Sequence, residues 1–150
     1  MAITQAMATS FKVELLKGIH AFGTTNTRAG TGADSFKVAL YLSSASLDST
    51  TLAYTATGET SGTNYTAGGG AITIVTAPTS TSTTAWLDFT DVTWATSTIT
   101  ARGALIYNDT ASGNPAVGVL DFGSDKTSTA GNFSIIFPAG DSTSAIIRIS

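Results

Sequence analysis

Eight Asp, two Glu, one His and no Cys make up this chain's carboxylate, imidazole and thiol chemistry. A hydrolytic triad needs a nucleophile, a base and an orienting acid, and His20 is the only imidazole available as base. It follows a helical stretch that stops at Gly18, where a single His more simply bonds a carbonyl of the last turn. Zinc asks for three or four His, Cys or acid ligands, a set this composition does not supply. Calcium needs several oxygens from a compact loop. Asp88 with Asp91, and Asp121-Phe122-Gly123-Ser124-Asp125, are the candidates. Strand alternation turns Asp88 outward, however, and Asp121 stands where a strand meets a turn, a place where Asp bonds its own backbone two residues on. Two carboxylates about 5–10 Å apart serve a glycosidase, but such pairs can be drawn freely among ten acids, so the pairing selects nothing. Glu59 is the least ordinary acid, set between Thr57-Gly58 and the run Gly68-Gly69-Gly70. It reads as a loop acid accepting bonds from backbone N–H groups, as Glu14 reads as an acid of the first helix. The glycine run precedes a strand, whereas a phosphate loop must open a helix. Asn-x-Ser/Thr triplets at Asn64, Asn108 and Asn132 are what five Asn among 28 Thr and 17 Ser give by chance. No catalytic, cofactor or metal site is expected, and the chain does not read as an enzyme.

Composition narrows the class further. Charged residues are 11% of 150, against about 25% in ordinary domains, while hydrophobic residues are 42%. That excludes a disordered tail. A net charge of −3 with seven Lys and Arg argues against nucleic acid, whose phosphates need clustered cations. No apolar run approaches the roughly 20 residues of a membrane helix. Lys12, Glu14 and Lys17 fall where a signal peptide would need its apolar centre.

The elements that position these residues follow from periodicity. Residues 1–9 lack turn signals and periodicity and read as an N-terminal arm, with residues 10–150 one domain. Ser10 caps a short helix from Phe11 to Lys17, with Phe11, Leu15 and Ile19 on one face and Gly18 as its stop. Residues 23–34 are a loop. Beyond them apolar residues alternate with period two. Phe36, Val38, Leu40 and Leu42 face inward with Lys37, Ala39 and Tyr41 opposite. Leu87, Phe89, Leu105, Tyr107, Leu120, Phe122, Phe133, Ile135, Phe137, Ile147 and Ile149 continue the inward set, as do Ile72 and Ile74. Ser61-Gly62-Thr63-Asn64, Gly123-Ser124-Asp125-Lys126 and Pro138-Ala139-Gly140-Asp141 supply the turns. Seven or eight short strands predict an all-β fold, an antiparallel β-sandwich or jelly roll with one short N-terminal helix.

Interface candidates remain. Trp86 and Trp94 fall off the inward phase, and Trp is enriched among residues that anchor interfaces. Ile3, Met7 and Phe11 are apolar residues that a neighbouring molecule could bury, ordering the arm on binding.

Three stretches carry a resemblance over residues 8–150: Ala8-Thr9-Ser10-Phe11-Lys12-Val13-Glu14-Leu15-Leu16-Lys17-Gly18; Glu59-Thr60-Ser61-Gly62-Thr63-Asn64-Tyr65; and Arg102-Gly103-Ala104-Leu105-Ile106-Tyr107-Asn108. The endings Val119-Leu120-Asp121-Phe122-Gly123 and Phe133-Ser134-Ile135-Ile136-Phe137-Pro138 join them. Together they resemble a family of small virion structural proteins of tailed bacteriophages, of the capsid decoration or cement kind. The chain departs from it by a longer loop at 23–34 and six extra N-terminal residues. The resemblance implies a protein made in the host cytoplasm and placed on the outer capsid surface. It would be a homo-oligomer, dimer or trimer, bound across subunits of the major capsid protein without cofactor, membrane or nucleic acid. The alternative it leaves is a tail, fibre or host-recognition component.

Overall fold

Alternating apolar side chains and β-branched Thr produce strands along most of the chain in the computed structural model, which describes residues 3–16, 18–23 and 33–150. In order they are β1 (Ala6–Met7), α1 (Thr9–Leu16), β2 (Phe36–Tyr41), β3 (Gly70–Ile72), β4 (Ile74–Thr81), β5 (Thr84–Phe89), β6 (Val92–Asn108), β7 (Ala116–Ile135) and β8 (Ile147–Ile149). Two antiparallel sheets result, ordered β1-β7-β6-β2-β3 and β4-β5-β8. The fold is therefore all-β and two-layered. Phe36 of the first sheet meets Phe89 of the second at 5.6 Å between ring centroids, and Phe22 stacks on Phe36 at 4.6 Å. Leu87 and Ile147 pair across β5 and β8, both buried.

Two strands are much longer than the turn signals suggest. β6 and β7 form one hairpin of 17 and 20 residues. The expected turn at 123–126 is absent. Ala101 faces Lys126 and Gly103 faces Asp121, so residues 122–125 bulge out of register, with Gly123 at φ +76°. The ribbon is also sharply curled. Phe122 and Phe133 are eleven positions apart, about 36 Å along a straight strand, yet their ring centroids lie 6.4 Å from each other. Thr96 and Ala130, on opposing strands, take φ +50° and +48° at the bend.

The central strands are covered on both faces, which a two-face alternation does not anticipate. Ala39 and Tyr41, expected outward, are fully buried, and residues 103–108 are buried throughout. One face meets α1 and the second sheet. The other is roofed by the connection from 42 to 69, where Tyr54 stacks on Tyr107 at 4.9 Å, and by Ile3. Leu42, expected inward, is 36% exposed because β2 ends at Tyr41, and Ile149 projects beyond the sandwich.

The N-terminal residues correct the expectation of a free arm. Thr4 N–H donates to the Leu47 carbonyl (2.9 Å), Ala6 and Met7 pair with Val119 and Gly118, and Thr9 N–H donates to Ser49 O (2.7 Å). Residues 3–9 thus belong to the fold. The helix begins at Thr9, whose N–H is held by Ser49 O, so the expected Ser10 cap does not form. Ser10 lies inside α1 with its buried hydroxyl unpartnered. The helix does stop at Gly18, at φ +66°, with Gly18 N–H on Leu15 O and Ile19 N–H on Glu14 O. The expected loop 23–34 lies outside the described residues from 24 to 32.

Candidate functional site

Two polar clusters and one groove are the places where chemistry could sit. The first cluster surrounds Glu59, held by the tight connection from Thr57 to Gly68. Its Oε1 accepts from Tyr65 Oη and Gly68 N–H, both 2.7 Å, and its Oε2 from Tyr54 Oη at 2.7 Å. Tyr65 Oη in turn accepts from Leu40 N–H (2.9 Å), Tyr107 Oη donates to Gly68 O (2.7 Å) and Tyr41 Oη donates to Thr55 O (2.6 Å). All four tyrosines of the chain therefore gather here. Burial, reinforced by the Glu59 carboxylate, pushes Tyr54 up to about 12. Burial likewise drives Tyr41, Tyr65 and Tyr107 well above the ordinary phenol value. None of these phenols is poised as an acid or base near neutrality. The cluster fastens the 42–69 roof to β2 and β6, so Glu59 does accept a backbone N–H as read from sequence, together with two tyrosine hydroxyls, of Tyr54 and Tyr65, that the sequence reading missed.

The second cluster ties the N-terminal segment to β6. His20 Nε2 lies 2.7 Å from Glu14 Oε2, and its Nδ1 lies 3.1 Å from Asn108 Nδ2. Asn108 Oδ1 already accepts Thr110 N–H (2.9 Å) and Ala111 N–H (3.0 Å), so its amide hydrogens point at His20 and at Asp34 Oδ2, 2.7 Å away. His20 Nδ1 is thus the acceptor, and Nε2 carries the hydrogen donated to Glu14. Asp34 also accepts Ala21 N–H at 2.8 Å. His20 therefore does not bond a terminal carbonyl of the helix as expected, because the N–H groups of Gly18 and Ile19 already bond Leu15 O and Glu14 O. Asn108 and Asp34 were missed, since only the folded chain brings the end of β6 to His20, and Asp34, just before β2, to Asn108 and Ala21.

The remaining acids serve turns, strand ends and an ion pair. Asp121 Oδ1 accepts Gly123 N–H (2.8 Å), the bond two residues on that its position suggested, and pairs with Arg102. Asp88 Oδ1 accepts Phe89 N–H and Asp91 Oδ1 accepts Phe137 N–H. Asp125 is exposed. No three His, Asp or Glu side chains come together as a metal site among the described residues. Of the Asn-x-Ser/Thr residues, Asn64 Nδ2 donates to Ala95 O and Thr96 O, Asn132 Oδ1 accepts Thr96 N–H, and Asn108 is buried.

The groove lies along β7. Past Val119, the side of β7 away from β6 pairs with no strand among the described residues. The curl brings two limbs of this edge together around a notch of about 480 Å³, lined by Phe122, Lys126, Thr127 and residues 132–136. Ile136 at its rim is 69% exposed. Compared with family models, with curated proteins and with solved structures, the chain has no match in any of the three. The site must be read from its own chemistry. Of the expected interface residues, Ile3, Phe11 and Trp94 are 5%, 0% and 8% exposed and pack inside this chain. Trp94 contacts the Tyr65 and Phe133 rings from the buried phase of β6, between exposed Thr93 and Ala95, contrary to the expectation that it falls off the inward alternation. Met7 and Trp86 are half-buried, Met7 against the core and Trp86 beside Pro78 and Ile149. No helix among the described residues is long and apolar enough to cross a membrane.

Proposed function

We propose that this chain is a virion structural protein of a tailed bacteriophage, a capsid decoration protein that binds across neighbouring major capsid subunits and stabilises the head. The resemblance over residues 8–150 motivates the reading. The observation that carries it is the free edge of β7. Both polar clusters are consumed in holding the chain to itself, whereas this edge offers unpaired backbone and an apolar notch to something else. Native proteins ordinarily blunt or cover such edges, so a long uncovered one is a docking element. Hydroxyl-rich, weakly charged surface elsewhere is inexpensive to desolvate compared with buried unpaired charge. The protein acts by assembly and turns over no substrate.

Copy number tests it. In purified particles, band intensity and quantitative mass spectrometry against the major capsid protein are expected to give hundreds of copies. A handful of copies would place it in the tail, and absence from particles, or hydrolase activity of a monodisperse monomer on a cell-surface polymer, would overturn the reading.

A further inference from the structure

We propose that the notch on β7 receives an extended peptide segment of another polypeptide, which sets an aliphatic side chain into the notch and a carboxylate against Lys126. This rests on the assembly reading and names the chemistry of the partner.

The ligand is a peptide because of where the notch lies. Consecutive residues 132–136 line it, and in a strand consecutive side chains point to opposite faces. The notch therefore runs beside the strand's edge rather than over one face, next to backbone groups that a further strand would pair. Phe122, Phe133, Ile135 and Ile136 make its walls apolar. Its volume has room for one or two aliphatic side chains.

The carboxylate follows from charge. Lys37 pairs with Asp109 at 3.0 Å, Arg102 pairs with Asp121, and Arg148 donates to the Thr143 carbonyl. Lys126 makes no ion pair among the described residues, and its Nζ bonds only the Ser124 hydroxyl at 3.0 Å. A cation held at the rim of an apolar notch selects for an acidic residue beside the buried aliphatic one.

A second copy of this chain is the poorer occupant. Its β4 edge carries Pro78, which has no N–H to donate. Its β8 edge would bring Arg148, and its β7 edge another Lys126, toward the same cation.

Ten-residue peptides alternating Val with Thr, carrying Asp, Asn or Lys at one central Thr position, test this in titrations followed by amide NMR and hydrogen exchange. The Asp peptide is expected to bind at least tenfold more tightly than the Asn peptide. It should shift and protect amides of residues 132–136. Lys126→Glu should reverse the preference toward the Lys peptide, and Ile136→Ser should weaken every peptide. Both substitutions are at exposed positions and should leave the melting temperature unchanged. Equal affinities for the three peptides, no binding at all, or shifts confined to other strands would overturn the proposal. So would a dimer in sedimentation equilibrium that Ile136→Ser disperses, since a second copy would then fill the notch. Because this assay needs no particle and the copy-number measurement needs no notch, failure of one leaves the other standing.

Discussion

Ile3→Ala separates a packed N-terminal segment from a free arm. Ile3 is 5% exposed and bridges to Leu47, and its Cγ2 lies against Gly103 so closely that a Cβ there would sit 2.8 Å from it. Truncating a buried Ile to Ala costs about 2–5 kcal/mol, through lost transfer energy and the cavity left behind. Some relaxation is available because the adjoining Thr4 and Gln5 are exposed, so about 3 kcal/mol is expected. For a domain of 150 residues each kcal/mol lowers Tm by about 2–4 °C, which puts the fall near 6–12 °C. Urea titration and calorimetry of Ile3→Ala beside Leu52→Ala provide the measurement. Leu52 is 68% exposed and should stay within about 0.5 kcal/mol of the parent. If the two variants are equally stable, residues 3–9 do not belong to the fold and the packing argument fails.

Other outcomes follow from the clusters and the roof. Asn108→Ala removes one bond each from the buried His20 and Asp34 and the acceptor of two backbone N–H groups, and should cost at least about 2–4 kcal/mol in urea melts; a loss under 1 kcal/mol would show that the network contributes little. Gly69→Ala would place a Cβ 1.9 Å from Val38 O and 2.6 Å from Ala39 Cα at φ +77°, and a destabilisation above about 3 kcal/mol is expected; a neutral result would disprove the close approach to β2. In alkali, the raised phenols mean that the folded chain holds more protons than the unfolded one above pH ~10. Stability is therefore intact below that value and falls as pH rises toward and past about 12. Absorbance near 295 nm should show tyrosine ionisation delayed and coupled to unfolding, whereas four independent titrations near 10 would refute the buried cluster.

The sequence was most legible where structure is local. Leu87 and Phe89 lie inward as alternation requires, Gly18 closes the helix, and Asp121 bonds Gly123. It was least legible where distant segments decide. Gly123-Ser124-Asp125-Lys126 has turn chemistry, but pairing with β6 on either side turns it into a bulge. Tyr41 looks like an outward residue until the 42–69 roof covers it. Ile3 and Met7 lack any period of their own, because what holds them is the edge of β7 and the carbonyl of Leu47. The candidate groove left no motif, since it is made by the curl of one strand and not by a residue pattern.

The long β6–β7 hairpin also sets an order of events. Its two strands are joined by a short connection, so they can zip from that loop at little entropic cost, while β1 must find Val119 across most of the chain and Leu87 of β5 must find Ile147 sixty residues on. Non-local pairings of this kind are slow to form. On the ribosome, residues 3–9 emerge early, yet the strand they pair with is not there until β7 has been made, whereas β5 can pair at once with β4. β1 is thus among the last strands to dock, and until then the flank of β7 that it covers stands open to any passing chain.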